Sequence, residues 1–310
     1  ACGRRHFLPL EALVNRPGAL EEVPTFLRRR DVADVWLIAD ENTNEAAGAR
    51  LRALLGQAGI RVVSSVLPGK PAVHPDEQAL GQLALDLQPT EGIILAVGSG
   101  TITDLARFWA SRLGRPFIAV PTAPSVDGFT SSVAAMVVRG VRVTFSAKPP
   151  MAVFADPAVY AAAPSRLISA GWAELAGKWT ALADWALSSI LNDEYHCEVA
   201  AGLVAEAAQL TRRLATRPLG AHDGGAPPAL AWHAPDVVRR LMDGLLRVGV
   251  AMLMVGSSRP ASGSEHHLAH YWEMKALASH DEPSLHGERV GVASVEIQGL
   301  YRRLLQTEPS

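Results

Sequence analysis

The sequence predicts an α/β domain built on a parallel sheet, followed by an all-helical domain. Two observations carry this reading. In the first half, short β-rich apolar runs alternate with segments of helical periodicity, the pattern of βαβ units. After Asp156-Pro157 the β-rich runs stop and long helical patterns take over. Length agrees, because single cores stop growing at about 250–300 residues and this chain has 310. The expected domains are residues 1–156 and 157–310.

Residues 35–39 form a compact apolar strand ending at Asp40. Residues 44–58 then place Leu51, Leu54 and Leu55 on one helical face. Residues 61–66 read as a second strand, 76–87 as a helix, and 92–97 (GIILAV) as a third strand. That third run is apolar throughout, as expected for a strand covered on both faces. A helix over 102–113 and a fourth strand over 117–120 follow. Within 134–145 two β-rich runs flank Arg139-Gly140, a hairpin signal. In the second half, helical patterns cover 166–191, 196–215 and 235–255, with shorter ones near 263–277 and 286–305. A stretch rich in Gly, Pro and Ala, 217–228, reads as a mobile surface excursion.

Composition excludes several classes of function. Hydrophobic residues make up 48% and charged residues 19%, which leaves ample apolar material for a core. Net charge is −2 with no basic stripe, so neither nucleic acid nor an anionic membrane is an expected partner. No apolar run reaches the roughly 18 residues of a spanning helix, and residues 1–20 lack the apolar stretch of a signal peptide. The cysteines are Cys2, at an N-terminus read as frayed, and Cys197. Two such residues make neither a disulfide framework nor a CxxC knuckle, and a reducing cytoplasm fits best.

Three stretches carry chemistry. Gly98-Ser99-Gly100-Thr101 joins a buried strand to a helix, where backbone N–H groups and the helix N-terminus suit a phosphate. The third glycine of GxGxxG is missing, so a tight turn without ligand is the plainer alternative. Next, Thr122, Ser125 and Asp127 share one loop at the carboxyl end of the fourth strand, where ligands of open α/β sheets sit. Finally, Ser262 and Glu265 have capping-box spacing at the start of a helix. His266 and His270 then share a face at i and i+4, and His286 follows at the start of another helix. Imidazoles in this pattern point to a metal such as zinc, iron or nickel. Such a site needs an anionic ligand, for which earlier helices offer Glu174 and Asp184, and spacing does not choose between them.

These segments in this order resemble the glycerol-1-phosphate dehydrogenases, bacterial type, of the iron-containing alcohol dehydrogenase and dehydroquinate synthase-like superfamily. Residues 98–104 look like the GGGSxxD pyrophosphate motif with Ser for the middle Gly, and Arg107 stands where many members have Lys. Residues 120–132 (VPTAPSVDGFTSS), 170–185 (AGWAELAGKWTALADW), 258–274 (SRPASGSEHHLAHYWEM) and 285–292 (LHGERVGV) look like signature segments. The resemblance spans about residues 35–295. It implies a Rossmann-like nucleotide domain, a helical metal domain and catalysis in the cleft between them. The implied metal ligands are Glu174, His266 and His286, with His270 a nearby non-ligand that contacts substrate or relays a proton. The Gly98, Ser99, Gly100 and Thr101 backbone would hold pyrophosphate, with Asp104 in the same motif. Asp40 would lie near the adenosine ribose, Thr122 and Ser125 beside the cofactor, and Asp127 toward nicotinamide and substrate.

Three features depart from the resemblance. The dehydrogenases carry Asp at the first ligand position, whereas Glu174 is what the synthase branch uses. The synthase branch sets a Lys three residues further on, while Lys178 is four on, as in the glycerol-phosphate branch. The sequence ends at Ser310, where many bacterial relatives continue. The implied activity is interconversion of dihydroxyacetone phosphate and sn-glycerol 1-phosphate, with NAD or NADP and one divalent metal, zinc ahead of nickel or iron. Lys178 and Arg259 are candidates for the substrate phosphate. Partners would be the small phosphorylated substrate and, as an option, further copies of the chain. Alternatives are a sugar-phosphate cyclase, motivated by Glu174, a glycerol or polyol dehydrogenase, and a non-catalytic nucleotide-binding relative.

Overall fold

A parallel sheet organises the first half of the chain. The structure, a computed structural model, describes residues 2–70, 72–88, 91–215, 232–282 and 284–307. In chain order the first elements are β1 (Ala12–Asn15), α1 (Ala19–Arg28), β2 (Asp34–Asp40), α2 (Glu41–Thr43), α3 (Ala49–Gln57), β3 (Arg61–Leu67), α4 (Glu77–Asp86), β4 (Ile93–Gly98) and α5 (Gly100–Leu113). They continue with β5 (Phe117–Pro121), the hairpin strands β6 (Val133–Val138) and β7 (Val141–Ser146), β8 (Ala152–Ala155) and α6 (Pro157–Tyr160). Six strands pair in parallel in the order β1-β8-β5-β4-β2-β3. Every residue of β4 and β5 is buried, as their uninterrupted apolar sequence requires of strands covered on both faces.

The connections set a switch point. The chain leaving β2 turns toward β3 at one edge, while the chain leaving β4 crosses to β5 on the other side. The loops after β2 and β4 therefore diverge, opening a crevice at the carboxyl ends of these neighbouring strands. Asp40 and Gly98 are the last residues of those two strands.

The hairpin forms where expected, with Val138 paired to Val141 and both turn residues left-handed, Arg139 at φ 52° and Gly140 at φ 73°. The sequence reading did not assign β1, α1 and β8. The two strands have four residues each, so each face shows two side chains, too few for a period to register. The helix α1 carries Pro24 in its interior, which breaks its pattern.

The second half is helical: α7 (Ser165–Ala176), α8 (Lys178–Leu191), α9 (Glu198–Ala215), α10 (Pro235–Val255), α11 (Ser264–Ala278) and α12 (His286–Leu305). The single helix expected over 166–191 is two, broken at Gly177. A Cβ at Gly177 would lie 2.7 Å from Val290 Cγ1, so the break is where α12 packs, and the Thr180 hydroxyl takes up the Gly177 carbonyl at 2.8 Å. The cap of α11 also differs from expectation. Gly263, not Ser262, is the N-cap; Glu265 accepts the Gly263 N–H at 2.8 Å, and Asp184 accepts the Ser264 N–H from α8 at 2.6 Å. The excursion expected over 217–228 lies outside the described residues. Among the described residues no helix is long and apolar enough to cross a membrane.

The chain divides into two compact units, Pro9–Pro124 with Gly128–Pro164, and Ala1–Leu8 with Ser125–Asp127 and Ser165–Ser310. In the helical unit, α12 lies unusually close to α7. A Cβ at Gly287 would sit 2.1 Å from the Ala170 carbonyl oxygen, and one at Gly291 would sit 2.7 Å from Ala173 Cβ. Only glycines allow this approach, and it places His286 over Glu174. Gly287→Ala should therefore lower stability by about 1–3 kcal/mol, the usual cost of overpacking a core. Gly299→Ala, on the same helix with nothing within 4 Å of the added Cβ, should instead stabilise by about 0.5–1 kcal/mol. Urea midpoints at constant m-value check both; equal effects of the two substitutions would remove the close-packing argument.

Candidate metal centre and nucleotide-binding edge

Three helices of one unit bring the metal candidates together. Glu174 is fully buried on α7, His266 is buried on α11, and His286 opens α12. Their donor atoms all lie within 4.8 Å of one another. His266 Nε2 is 3.3 Å from Glu174 Oε1, and His286 Nε2 is 3.4 Å from Glu174 Oε2. His266 Nδ1 pairs with Glu265 Oε1 at 2.7 Å, so Nε2 is the nitrogen turned toward Glu174. Glu265 is held in turn by the Thr180 hydroxyl at 2.6 Å. A carboxylate behind a ligating imidazole sets ring orientation and tautomer. The sequence reading attached no such role to Glu265; its adjacency to His266 signals it only once the helix start is known.

His270 stands one turn along α11. Its ring stacks on His286 at 5.5 Å and 22°, lies 6.0 Å from His266, and its Nδ1 is 3.5 Å from Glu273. It is adjacent to the ligand set, and its side chain is 32% exposed. His267 is exposed on another face. Asp184, the rival acidic ligand, is occupied as the cap of α11 and accepts the Tyr301 hydroxyl. Of the two acidic candidates, Glu174 and not Asp184 is the one that lies beside His266 and His286.

Lys178, at the first turn of α8, is the electrostatic hub. It is fully buried and its ammonium donates to Glu174 at 2.6 Å and to the Ala261 carbonyl at 2.8 Å, with Asp127 at 2.7 Å. It is therefore not available for a substrate phosphate, contrary to the sequence expectation. Arg259 is partly exposed and is engaged by Glu194 at 2.6 and 2.7 Å and by Ser188 at 3.2 Å. Burial alone would depress Lys178, but Asp127 and Glu174 carry it above the usual ammonium value. Burial would raise Glu174, yet Lys178, His286 and His266 hold it well below the carboxylate range. Asp127 goes the other way: burial pushes it up against the pull of Lys178.

These residues fit a divalent cation. Two carboxylates held below their usual range, Glu174 and Glu265, stand against the one ammonium of Lys178, leaving an excess of negative charge that neutral imidazoles do not relieve. Glu174 Oε2 is buried without a hydrogen-bond partner. One carboxylate and two imidazoles with an open side is also the ligand pattern of catalytic rather than structural sites.

The other unit places the nucleotide candidates along one sheet edge. Asp40 ends β2 and caps α2, its carboxylate accepting the Thr43 N–H at 2.8 Å. Gly98 ends β4, Ser99 is the N-cap of α5, and Gly100 and Thr101 form its first turn. A Cβ at Gly98 would lie 2.5 Å from Ile102 Cβ, so packing of the turn already demands this glycine. Thr122 is buried after β5 and donates its N–H to the Gly98 carbonyl at 3.2 Å. Asp104 is engaged by the buried Arg107, whose guanidinium also reaches the carbonyls of Gly128 (2.5 Å), Val133 (3.0 Å) and Phe129 (3.1 Å). Burial holds Asp104 above the ordinary carboxylate value, with Arg107 opposing. Ser125, also buried, belongs with Asp127 to the segment that goes with the helical unit.

Comparison with known proteins agrees with this architecture. A family model described as iron-containing alcohol dehydrogenase matches residues 14–164. A "Glycerol-1-phosphate dehydrogenase [NAD(P)+]" of Halalkalibacterium halodurans is 38% identical over 304 residues, covering 97% of this chain and 73% of that protein. One of the same description from Bacillus licheniformis is 37% identical over 308 residues, covering 98% of this chain and 74% of that protein. Among solved structures, a probable glycerol dehydrogenase from Sinorhizobium meliloti superposes with a TM-score of 0.69 at 17% identity, covering 92% of this chain and 75% of that one, a likeness of fold. The chain belongs to the glycerol-1-phosphate dehydrogenase family.

Proposed function

We propose that this chain is a metal-dependent, NAD(P)-linked dehydrogenase that interconverts dihydroxyacetone phosphate and sn-glycerol 1-phosphate. Family membership supports the substrate and the nicotinamide cofactor. The convergence of Glu174, His266 and His286 is the single observation that carries the metal dependence. When bound, a divalent metal supplies Lewis-acid polarisation of the substrate carbonyl or alcohol oxygen. Zinc suits one carboxylate and two imidazoles, with nickel or iron as other choices. The switch-point edge at Asp40, Gly98, Ser99, Gly100, Thr101 and Thr122 would hold the dinucleotide, its pyrophosphate on the N-terminus of α5. Ser125 would stand beside the cofactor. A cytoplasmic, phospholipid-related role and assembly into homo-oligomers belong to the same reading.

The chain's own groups would manage the proton. Asp127, which burial pushes up against the pull of Lys178, would be the carboxyl that exchanges a proton beside the ligand set. His270, stacked on His286 and partly exposed, offers a path between that set and solvent. Lys178 keeps Glu174 ionised and fixed as a ligand. Glu174 in place of the family's Asp is accommodated by this clamp, since the longer side chain remains tied at its carboxylate.

Glu174→Gln and His266→Ala should each lose metal by elemental analysis and lower kcat by at least roughly 10²–10³-fold, the scale of removing one transition-state charge stabiliser. NAD(P)H affinity should persist, because those contacts belong to other residues. Full metal occupancy and full turnover in Glu174→Gln would refute the ligand assignment.

Dihydroxyacetone phosphate should outperform dihydroxyacetone in kcat/KM by about 10–150-fold, from a charge-assisted hydrogen bond of roughly 1.5–3 kcal/mol. Net NAD(P)H consumption is the readout. Equal values for the two ketones would favour a polyol dehydrogenase, and turnover of a heptulosonate phosphate without net NADH change would favour a cyclase.

Gly100→Val puts a branched side chain on the first turn of α5, where the pyrophosphate would rest. Fluorescence titration should show NAD(P)H affinity falling at least tenfold while circular dichroism stays native. Unaltered affinity in the folded variant would move the nucleotide site elsewhere.

A further inference from the structure

A second cluster of ligand-type side chains lies in the helical unit, away from Glu174. Cys2 and His6 come from the N-terminal segment, which packs with that unit, and Cys197 immediately precedes α9. His6 Nε2 is 3.0 Å from Cys2 Sγ and 3.4 Å from Cys197 Sγ, and all three donor atoms lie within 4.8 Å of one another. Both cysteines are free thiols, and Cys197 is buried. His6 Nδ1 is 2.6 Å from the Met254 carbonyl near the end of α10. A carbonyl only accepts, so Nδ1 carries the proton and the Nε2 lone pair faces the sulfurs. The Tyr195 hydroxyl sits against both sulfurs, is buried, and makes no well-formed hydrogen bond.

We propose that Cys2, His6 and Cys197 form a second, structural metal site for a thiophilic divalent cation such as zinc. Neighbouring thiolate and imidazole ligands on a tetrahedral zinc stand about 3.5 Å apart, given Zn–S near 2.3 Å and Zn–N near 2.0–2.1 Å. The two nitrogen–sulfur separations here, 3.0 and 3.4 Å, fall within about half an ångström of that edge. A disulfide would need the sulfurs joined and would leave Nε2 with no acceptor role, whereas a cation uses all three lone pairs. The Met254 carbonyl supplies the outer contact that fixes a ligating imidazole. The Tyr195 hydroxyl, buried against both sulfurs, is a further oxygen beside the cluster. On binding, each thiol releases its proton to solvent and donates a sulfur lone pair, so two thiolates balance the dication. The site would staple the N-terminal segment to the entry of α9 and the exit of α10.

Cobalt(II) under reducing, anaerobic conditions is the probe, because sulfur-to-cobalt charge transfer absorbs in the near ultraviolet. The Glu174 centre contains no sulfur, so the outcome here is independent of the function proposed above. The full chain should take up one more cobalt than the Glu174 centre accounts for, with a charge-transfer band that saturates at that equivalent. Cys2→Ala and His6→Ala, both outside the buried core, should each abolish saturation at that equivalent while turnover is retained. Proteolysis of the N-terminal segment should quicken at least tenfold in both variants and, in the wild type, on chelation. Cys197→Ser should behave alike, and if it fails to fold the other two variants still decide. Absence of a saturable band in the reduced protein would overturn the proposal. So would a Cys2–Cys197 disulfide found by mass spectrometry in freshly purified protein, or an unchanged band in His6→Ala.

Discussion

A buried ammonium holds the helical unit's chemistry in place. Glu174 has no solvent exposure, and a bare carboxylate there would be untenable, since removing the partner of a buried ion pair costs about 3–5 kcal/mol. Lys178 neutralises it from one helix turn away and reaches Asp127 and the Ala261 carbonyl with its remaining protons. One side chain thus ties α7, α8, the 125–127 segment and the approach to α11. Breaking the chain's helix at Gly177 is part of the same arrangement, because it starts α8 at Lys178 and admits Val290 of α12.

Around that hub, stability and function draw on the same contacts. Gly287 and Gly291 let α12 settle on Ala170 and Ala173, which fixes the height of His286 over Glu174. Glu265 begins α11 by accepting the Gly263 N–H and orients His266 with the same oxygen. Asp184 completes the start of that helix from α8. The imidazoles are thereby placed on rigid helix starts rather than on loops, within reach of one carboxylate. Negative charge accumulates there in excess of Lys178, which is the condition under which a dication binds.

The sheet unit reaches its arrangement by topology. Reversal of strand order between β2 and β4 puts Asp40 and the Ser99–Gly100 helix start on neighbouring strands at one edge. Gly98 is demanded by its contact with Ile102 whether or not a phosphate is present, so this glycine by itself says little about a ligand. Arg107 is likewise consumed internally, pinning the segment from Gly128 to Val133.

Residue order alone was enough for the fold class, the four longer strands of the parallel sheet, the helical second half and the histidine candidates. Those features rest on periods repeated over many residues, or on residue types whose chemistry leaves few uses, as with His266 and His286. A strand of four residues such as β8 carries no readable period, and the N-cap of α11 falls at Gly263 rather than Ser262 because a glycine N-cap carries no side-chain signal. Tertiary packing alone brought Glu174 rather than Asp184 to the two histidines, buried Lys178 between carboxylates, and set Cys2 and His6 beside Cys197, with His6 and Cys197 separated by 191 residues of chain. The reason is physical: local spacing sets which side chains share a face, whereas partner choice among buried charges depends on which helices can approach closely enough to exclude water.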